Sequence, residues 1–287
     1  MRSEEKNKTV GGMLYLVSTP IGNLADISER ALKVLSEVDF IAAEDTRNTL
    51  RMLMHFGISK PLVSYFEHNK AERGAQIAKR LSEGESCALV TDAGTPAISD
   101  PGEDIVRICA EQNIPVTAVP GACAGICALT LSALPTSRFC FEGFLPVKKA
   151  DRRKRLEALA AEERTMLIHE APHKLRDTLS DLKSAFGDDR RIALCRELTK
   201  LNEEVMRVTL SETVEYYKEC EPRGEYVLVI EGCDASVLAA KAIEELSIEE
   251  QVELYMNGGM SKMDAVKKVA KERGLPKNEV YKLFNND

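Results

Sequence analysis

The sequence predicts an α/β protein with two α/β domains and a small helical C-terminal tail. Three observations carry that expectation. From Leu14 to about residue 135, short apolar runs alternate with stretches of helical period, the signature of a parallel sheet covered by helices. Beyond Phe139 the alternation resumes, and there Val205 to Leu210 can pair back on Ile192 to Arg196, which makes the second sheet mixed. The final stretch, from about residue 234, has helical patterning only. The expected domains are therefore 13–143, 144–233 and 234–287.

Residues 1 to about 12 are polar and read as disordered. Leu14 to Ser18 (LYLVS) is a short strand that ends in STPIGNL. The period then changes: Ile27, Ala31, Leu35 and Val38 share a helical face, with Asp26 and Glu29 spaced as a capping box. Phe40 to Ala43 is a strand ending in EDTR (Glu44 to Arg47), followed by a helix, by SYFEHN, and by a helix through Ile77 and Leu81. Cys87 to Val90 reads as a buried strand, and Pro115 to Val119 as another that runs into PGA (Pro120 to Ala122) and the apolar helix GACAGICALTLSAL.

In the second half, Phe139 to Phe144 (FCFEGF) precedes a basic run, and Thr165 to His169 is a strand ending in EAPHK. Leu175, Leu179, Leu182 and Phe186 have helical spacing. Ile192 to Arg196 ends in ELTK (Glu197 to Lys200), a short helix begins near Glu212, and Tyr226 to Ile230 is the last strand. In the tail, Ala239 to Asn257 is an acidic helical stretch that Gly258 and Gly259 break. Ala265, Val266 and Val269 begin another helix, and GLPKNEVYKLF gives a turn and a short helix. That outline is a helix-turn-helix, with RNA contact and a dimer-stabilising or capping role as the two alternatives.

The chain is organised around Thr91 to Gly102, TDAGTPAISDPG, between a strand and a helical pattern. Gly94 and Gly102 permit backbone angles closed to other residues, while Pro96 and Pro101 each remove a hydrogen-bond donor and set one φ. Asp100 is spaced to cap the following helix, with Pro101 at its first position and Glu103 completing a capping box. Such a turn brings backbone amides close to a ligand at the carboxyl ends of parallel strands; a tight loop that needs Gly and Pro for geometry alone is the alternative. STP, EDTR, DAGTP and PGA all follow strands, so in a parallel sheet they share one rim.

Composition narrows the function classes. Apolar residues at 44% and charged residues at 30% describe a globular protein, no apolar run approaches the roughly 20 residues of a membrane helix, and the polar N-terminus carries no signal segment. The expected location is the cytoplasm. The eight cysteines sit mostly in apolar patterns as small core residues, and Cys123 and Cys127 have no second Cys/His pair at zinc-site distance. A net charge of −7 argues against indiscriminate coating of nucleic acid. Charge is uneven, however: VKKADRRKR (147–155) has six basic residues against one acid, and residues 261–282 have seven against three. Each run is a solvated face or a phosphate contact.

Several familiar sites are missing. The chain has no GxGxxG after its first strand, no GxxxxGK[ST], no GxSxG and no HExxH, and its four histidines form no evident metal cluster. What remains is a rim of turns with carboxylates and arginines: Glu44, Asp45, Arg47, Asp92, Asp100, Glu170, Arg196 and Glu197. Taken singly, these are helix caps or surface ion pairs as readily as proton acceptors.

The ordered series STPIGNL (18–24), EDTR (44–47), DAGTPAISDPG (92–102), PGA (120–122), FEGF (141–144), HEAPHK (169–174), RELTK (196–200) and GEYVLVIEG (224–232) closely resembles the ribosomal RNA small subunit methyltransferase I family of the tetrapyrrole methylase superfamily. The resemblance covers roughly residues 13–233. It implies two α/β domains of tetrapyrrole-methylase type, with a methyl donor, S-adenosyl-L-methionine, in the cleft between them. It further implies transfer to the ribose 2′-hydroxyl of a cytidine in the decoding region of 16S rRNA. The implied partners are the small ribosomal subunit and a second copy of the chain, with neither DNA nor a membrane.

Carried over motif by motif, the methyl-donor pocket falls on Pro20, Gly94, Thr95, Ile98, Asp100, Pro120, Gly121 and Ala122, then on His169, Glu170, Glu197, Leu198 and Tyr226. A ribose hydroxyl is a poor nucleophile until its proton is leaving, so a base is expected, with Glu44, Asp45, Glu170, Glu197 and Lys200 as candidates. Arg47, Lys148, Lys149, Arg152, Arg153 and Arg155 are the expected phosphate contacts, and Phe144 or Tyr65 the expected stacking residue. STPIGN and AGTP stand where tetrapyrrole methylases have a glycine-rich loop and a GGDP-like turn. Both departures favour RNA over the alternative of a tetrapyrrole substrate. A non-enzymatic ribosome-assembly factor with a vestigial pocket is the remaining alternative.

Overall fold

A computed structural model describes residues 8–234, 243 and 246–285. The disorder expected over residues 1–12 lies outside the described residues as far as residue 7, and the acidic helical stretch expected from Ala239 lies outside them through 242 and at 244–245. The described chain divides into two compact units, one of residues 1–157 and 164–231, the other of residues 158–163 and 232–287.

The first unit holds two five-stranded sheets. Strands β1 (Leu14–Val17), β2 (Phe40–Ala43), β3 (Leu62–Ser64), β4 (Cys87–Val90) and β5 (Val116–Val119) are all parallel, in the order β3-β2-β4-β1-β5. These strands are short apolar runs because both faces are covered, as in any parallel sheet. Leu14, Phe40, Ala42, Cys87 and Leu89 point to one face, where Ile77, Ala78 and Leu81 of α3 (Lys70–Ser82) and Ile105 and Cys109 of α4 (Glu103–Glu111) pack. Tyr15, Val17, Ile41, Ala43, Ala88 and Val90 point to the other, onto Ala31, Val34 and Leu35 of α1 (Glu29–Glu37) and Leu53 of α2 (Thr46–His55). Each fully buried large side chain of this kind contributes about 1.5–3 kcal/mol.

Right-handed crossovers explain the distribution. The chain moves outward from β1 to β2 and β3 with α1 and α2 on one face, then returns to β4 and β5 with α3 and α4 on the other. β1 and β4 are neighbours whose connections leave to opposite faces. Their carboxyl ends therefore form a topological switch point, where open sheets have their ligand crevice.

Local details correct the sequence reading at three places. Ser28, not Asp26, caps α1, accepting from the Ala31 amide at 3.1 Å, because Leu24–Asp26 is already a separate 3-10 turn. Asp100 does not cap α4: the cap position is Gly102, with no side-chain bond. Tyr65 cannot stack on a base, since it is 1% exposed within the first core.

The second sheet runs β6-β7-β10-β8-β9, built from β6 (Phe139–Phe144), β7 (Thr165–Glu170), β8 (Arg191–Arg196), β9 (Glu204–Thr209) and β10 (Tyr226–Ile230). β6 and β7 are parallel and the other pairs antiparallel, so the sheet is mixed. Its first strand begins at Phe139 and ends at Phe144, and α5 (Ala124–Leu131) sets Ala128 and Leu129 against Leu167, Ala193, Cys195, Val227 and Val229 of this sheet. The basic run begins α6 (Lys149–Ala160); α7 (Leu175–Phe186) and α8 (Leu210–Glu219) complete the sheet's helices.

The second unit contains α9 (Ile248–Asn257), α10 (Lys262–Arg273) and α11 (Lys277–Asn285). Val252, Ala265, Val266, Val269, Ala270 and Val280 form its own core. Ser247 and Glu250 make a capping box on α9, and Gly274, at φ +64°, ends α10 in the left-handed region before the turn into α11.

Candidate active site

The switch point between β1 and β4 opens into a cavity of about 500 Å³, inside the roughly 300–1,000 Å³ range of small-molecule sites. Three loops of the first sheet are tied together at its rim. Thr19 and Gly94 exchange backbone hydrogen bonds of 2.9 and 3.1 Å. Thr19 Oγ1 donates to the Thr91 carbonyl at 3.2 Å, and Thr95 Oγ1 donates to the Ala122 carbonyl at 3.0 Å. Ser18 Oγ lies 3.1 Å from Thr95 Oγ1, and because the Thr95 proton is already committed, Ser18 is the donor. Gly121 lets the third loop approach: a Cβ there would lie 2.8 Å from the Ser18 Cβ.

The loop from Gly94 to Gly102 carries four excursions to positive φ, at Gly94 (+84°), Ala97 (+66°), Ser99 (+64°) and Gly102 (+156°). Such angles cost a non-glycine residue about 1–2 kcal/mol each, so the surroundings must hold them. They aim Ile98, Ser99 and Asp100 at the cavity. Burial first, then the charges of Glu44 and Asp92, push the Asp100 carboxyl up to about 6. Glu44 Oε2 accepts from Thr91 Oγ1 at 2.8 Å, which fixes the neighbouring carboxylate.

The opposite wall comes from the second sheet. His169 at the end of β7 meets the rings of Phe141 and Phe144 edge-on, at centroid distances of 5.4 and 5.6 Å. Its Nε2 is buried without a protein partner, and burial holds the imidazole below its ordinary pKa, so the ring is neutral at pH 7. Glu170 is 5% exposed; Oε1 accepts from the Ala171 amide at 2.9 Å and Oε2 from Thr178 Oγ1. Glu197, at φ +51°, accepts from Lys200 Nζ at 2.9 Å and from the Glu225 amide at 3.1 Å, and Lys200 also reaches Glu225 Oε2 at 2.8 Å.

This arrangement separates the five base candidates. Burial works against the Lys200 charge, but its bonds to Glu225 and Glu197 prevail and hold the pKa above its ordinary value, so the ammonium has no lone pair to offer. Glu197 is committed to that same ion pair. Asp45 caps α2 and gives both oxygens to Arg47; those bonds hold its carboxyl down at about 2, a poor proton acceptor. Glu44 and Glu170 remain, both at the cavity wall.

Of the expected methyl-donor residues, the structure brings Gly94, Thr95, Ile98, Asp100, His169, Glu170, Leu198 and Tyr226 to the cavity. Ala122 and Gly121 instead serve the loop stitching, and Glu197 braces Lys200; Pro20 and Pro120 are not at the wall. The expected phosphate contacts all lie off it. Arg152 is bound to Asp181 and Thr178 at 2.6 and 2.8 Å, Arg155 pairs with Glu142, Arg153 stands 3.7 Å from Glu157, and Lys148 and Lys149 are exposed. Arg47 projects into solvent beside Asp45. Ile21, Thr91, Cys123, Cys195 and Glu225 also line the cavity. None of them is among the expected site residues, and only folding places them there.

Two α/β layers with a carboxylate-bearing cavity at the first sheet's switch point are the architecture of a methyltransferase class: residues 13–214 match the family described as Tetrapyrrole (Corrin/Porphyrin) Methylases. The chain is 45% identical over 272 residues to the Ribosomal RNA small subunit methyltransferase I of Synechocystis sp., covering 95% of this chain and 97% of that one. It is 44% identical over 286 residues to the protein of the same name from Escherichia coli O157:H7, covering 98% of each. Among solved structures, it is similar to uroporphyrin-III C-methyl transferase from Thermus thermophilus complexed with S-adenyl homocysteine. That match has 18% identity and a TM-score of 0.54, over 76% of this chain and 97% of that one. The chain belongs to the tetrapyrrole methylase family and, within it, to the ribosomal RNA small subunit methyltransferase I group.

Proposed function

We propose that the protein transfers a methyl group from S-adenosylmethionine to the ribose 2′-hydroxyl of a cytidine in the decoding region of small-subunit rRNA. The observation that carries this reading is the cavity itself: motifs far apart in a chain 45% identical to a small-subunit rRNA methyltransferase converge on one space of nucleoside size. When bound, S-adenosylmethionine supplies an electrophilic methyl on a sulfonium, which a ribose oxygen displaces in line. The residues present fit such a group. Glu44 and Asp100 offer acceptors and negative charge to a cationic ligand with ribose hydroxyls, Ile98, Leu198 and Val227 offer apolar contact, and the buried His169 Nε2 is a polar atom still without a partner.

The protein's own contribution is positioning and proton removal. The cross-linked loops after β1, β4 and β5 hold the rim rigid, so alignment is set before the acceptor arrives. The Glu197–Lys200–Glu225 cluster holds the turn after β8 against the start of β10. Glu44 or Glu170 takes the hydroxyl proton. In the same reading the protein works in the cytoplasm as a homodimer; no helix among the described residues is long and apolar enough to cross a membrane.

Mapping ribose methylation on small-subunit rRNA from cells with and without the gene tests the assignment. A single cytidine 2′-O-methyl should vanish with the gene, and an unchanged map would refute it. Calorimetry with S-adenosylmethionine and sedimentation of the free protein check the methyl donor and the dimer.

A further inference from the structure

Beside the cavity lies a second, larger groove of about 890 Å³, walled by the turn after β6 and by α6 and α7. Phe144 and Glu170 line both spaces. They stand at the ends of the adjacent parallel strands β6 and β7, whose register sets Phe144 opposite His169. A methyl donor in the cavity and an acceptor in the groove would therefore meet at these two residues.

The groove's chemistry suits one kind of occupant. Phe144 is 59% exposed, with an aromatic face that no other side chain covers in full. Lys149 and Lys174 face the groove with no carboxylate at ion-pair distance among the described residues. Arg152, Asp181 and Thr178 are committed to one another. Glu157 stands 3.7 Å from Arg153, and Asp177 adds one negative charge at the wall, so Lys149 and Lys174 leave two ammonium groups for a phosphodiester. A flat ring with a single phosphate on either side matches an aromatic platform and dispersed cations.

The partition is also poised to take a proton. Arg152 Nη2 donates to Thr178 Oγ1 at 2.8 Å, so the one hydroxyl proton of Thr178 goes to Glu170 Oε2. Glu170 is thus held as an acceptor on one oxygen by Thr178 and on the other by the Ala171 amide, and each oxygen retains a lone pair.

Resting on the RNA methylation reading, we propose that this groove seats the acceptor nucleotide, its base on Phe144, its phosphates toward Lys149 and Lys174, and its 2′-hydroxyl at Glu170. As the oxygen–methyl bond forms, the methyl–sulfur bond breaks and sulfur keeps the electron pair as a neutral thioether. The hydroxyl proton passes to the Glu170 carboxylate. Arg152 is a positioning residue that acts through Thr178.

The test separates the two sites. Ser180→Trp, on the exposed face of α7 that lines the groove, should leave S-adenosylhomocysteine affinity by calorimetry within about twofold. It should raise KM for unmethylated small ribosomal subunits at least roughly tenfold. Ser184→Trp, one helical turn on, repeats the measurement should the first variant not fold. Lys174→Ala should weaken binding of a fluorescent single-stranded RNA and reduce its salt slope by about 0.7. Glu170→Gln should lower kcat by roughly 10²- to 10⁴-fold with little change in KM. Normal subunit KM in both tryptophan variants overturns the groove assignment, and normal kcat in Glu170→Gln overturns the proton transfer. A wild-type protein that binds S-adenosylhomocysteine yet methylates no small subunit refutes the RNA reading itself, a result distinguishable from either.

Discussion

Gly102→Ala tests whether the strained turn after β4 is held by close packing or is merely a permissive loop. Gly102 has φ +156° and ψ −31°, and a Cβ there would lie 2.8 Å from the Ala97 Cβ, 2.9 Å from its nitrogen and 3.0 Å from its Cα. Two of those atoms are backbone and Ala97 itself sits at φ +66°, so no flexible side chain can swing aside. Overpacking costs about 1–3 kcal/mol, and the strained backbone angle adds about 1–2 kcal/mol. The sum, roughly 2–5 kcal/mol, is a large part of the stability of an ordinary domain. Gly57→Ala is the control: at φ +67° it has nothing within 4 Å of a new Cβ, so it should cost only the strain, about 1 kcal/mol. Urea unfolding gives both differences, and calorimetry with S-adenosylhomocysteine reads the loop. Affinity should drop at least about tenfold for Gly102→Ala, because Ile98 and Asp100 move with Ala97, and stay unchanged for Gly57→Ala. Equal stabilities for the two variants together with unaltered affinity would refute the packing argument.

The remaining predictions concern charge and hydrogen bonding. The Asp100 pKa is raised in the folded state to about 6, so between about 4 and 6 the native protein binds more protons than the unfolded chain and stability declines as pH rises through that window. Asp100→Asn should flatten that decline, read by urea unfolding across pH 4 to 6.5, and the wild-type rise in affinity for the cationic methyl donor as pH passes 6 should disappear with it, read by titration calorimetry at pH 5 and 7.5. His169→Phe keeps the packing between Phe141 and Phe144 but deletes the unpartnered Nε2, so the free protein should lose no thermal stability while affinity for S-adenosylhomocysteine drops about tenfold. Arg152→Ala breaks bonds to Asp181 and Thr178 at a side chain only 15% exposed, and should cost about 2–3 kcal/mol in urea unfolding. Lys148→Ala, a few residues earlier on an exposed stretch, should cost less than about 0.5 kcal/mol.

Much of the architecture was legible because it rests on local rules. The parallel strands of the first sheet are short apolar runs, and Leu175, Leu179, Leu182 and Phe186 mark α7 by spacing alone. The weakest element, β3, went unseen: three half-buried residues at a sheet edge leave too little pattern to separate from a loop. Cap assignments failed where a competing local structure intervened, as Gly102 did for Asp100. The basic run was legible only in part, for a different reason. Charge density marks a surface, but whether Arg152 faces solvent or Asp181 depends on where α7 lies, some 29 residues on.

The sequence by itself determined which residues end strands and which motifs travel together, since short apolar runs and Gly-Pro turns are properties of neighbouring residues. Only the tertiary structure decided that β1 lies beside β4, that their connections part to opposite faces, and that Phe144 and Glu170 separate two spaces. Strand order is set by packing between segments tens of residues apart, and no local period encodes it. The same motifs on a sheet wound in another order would share a rim without sharing a cavity.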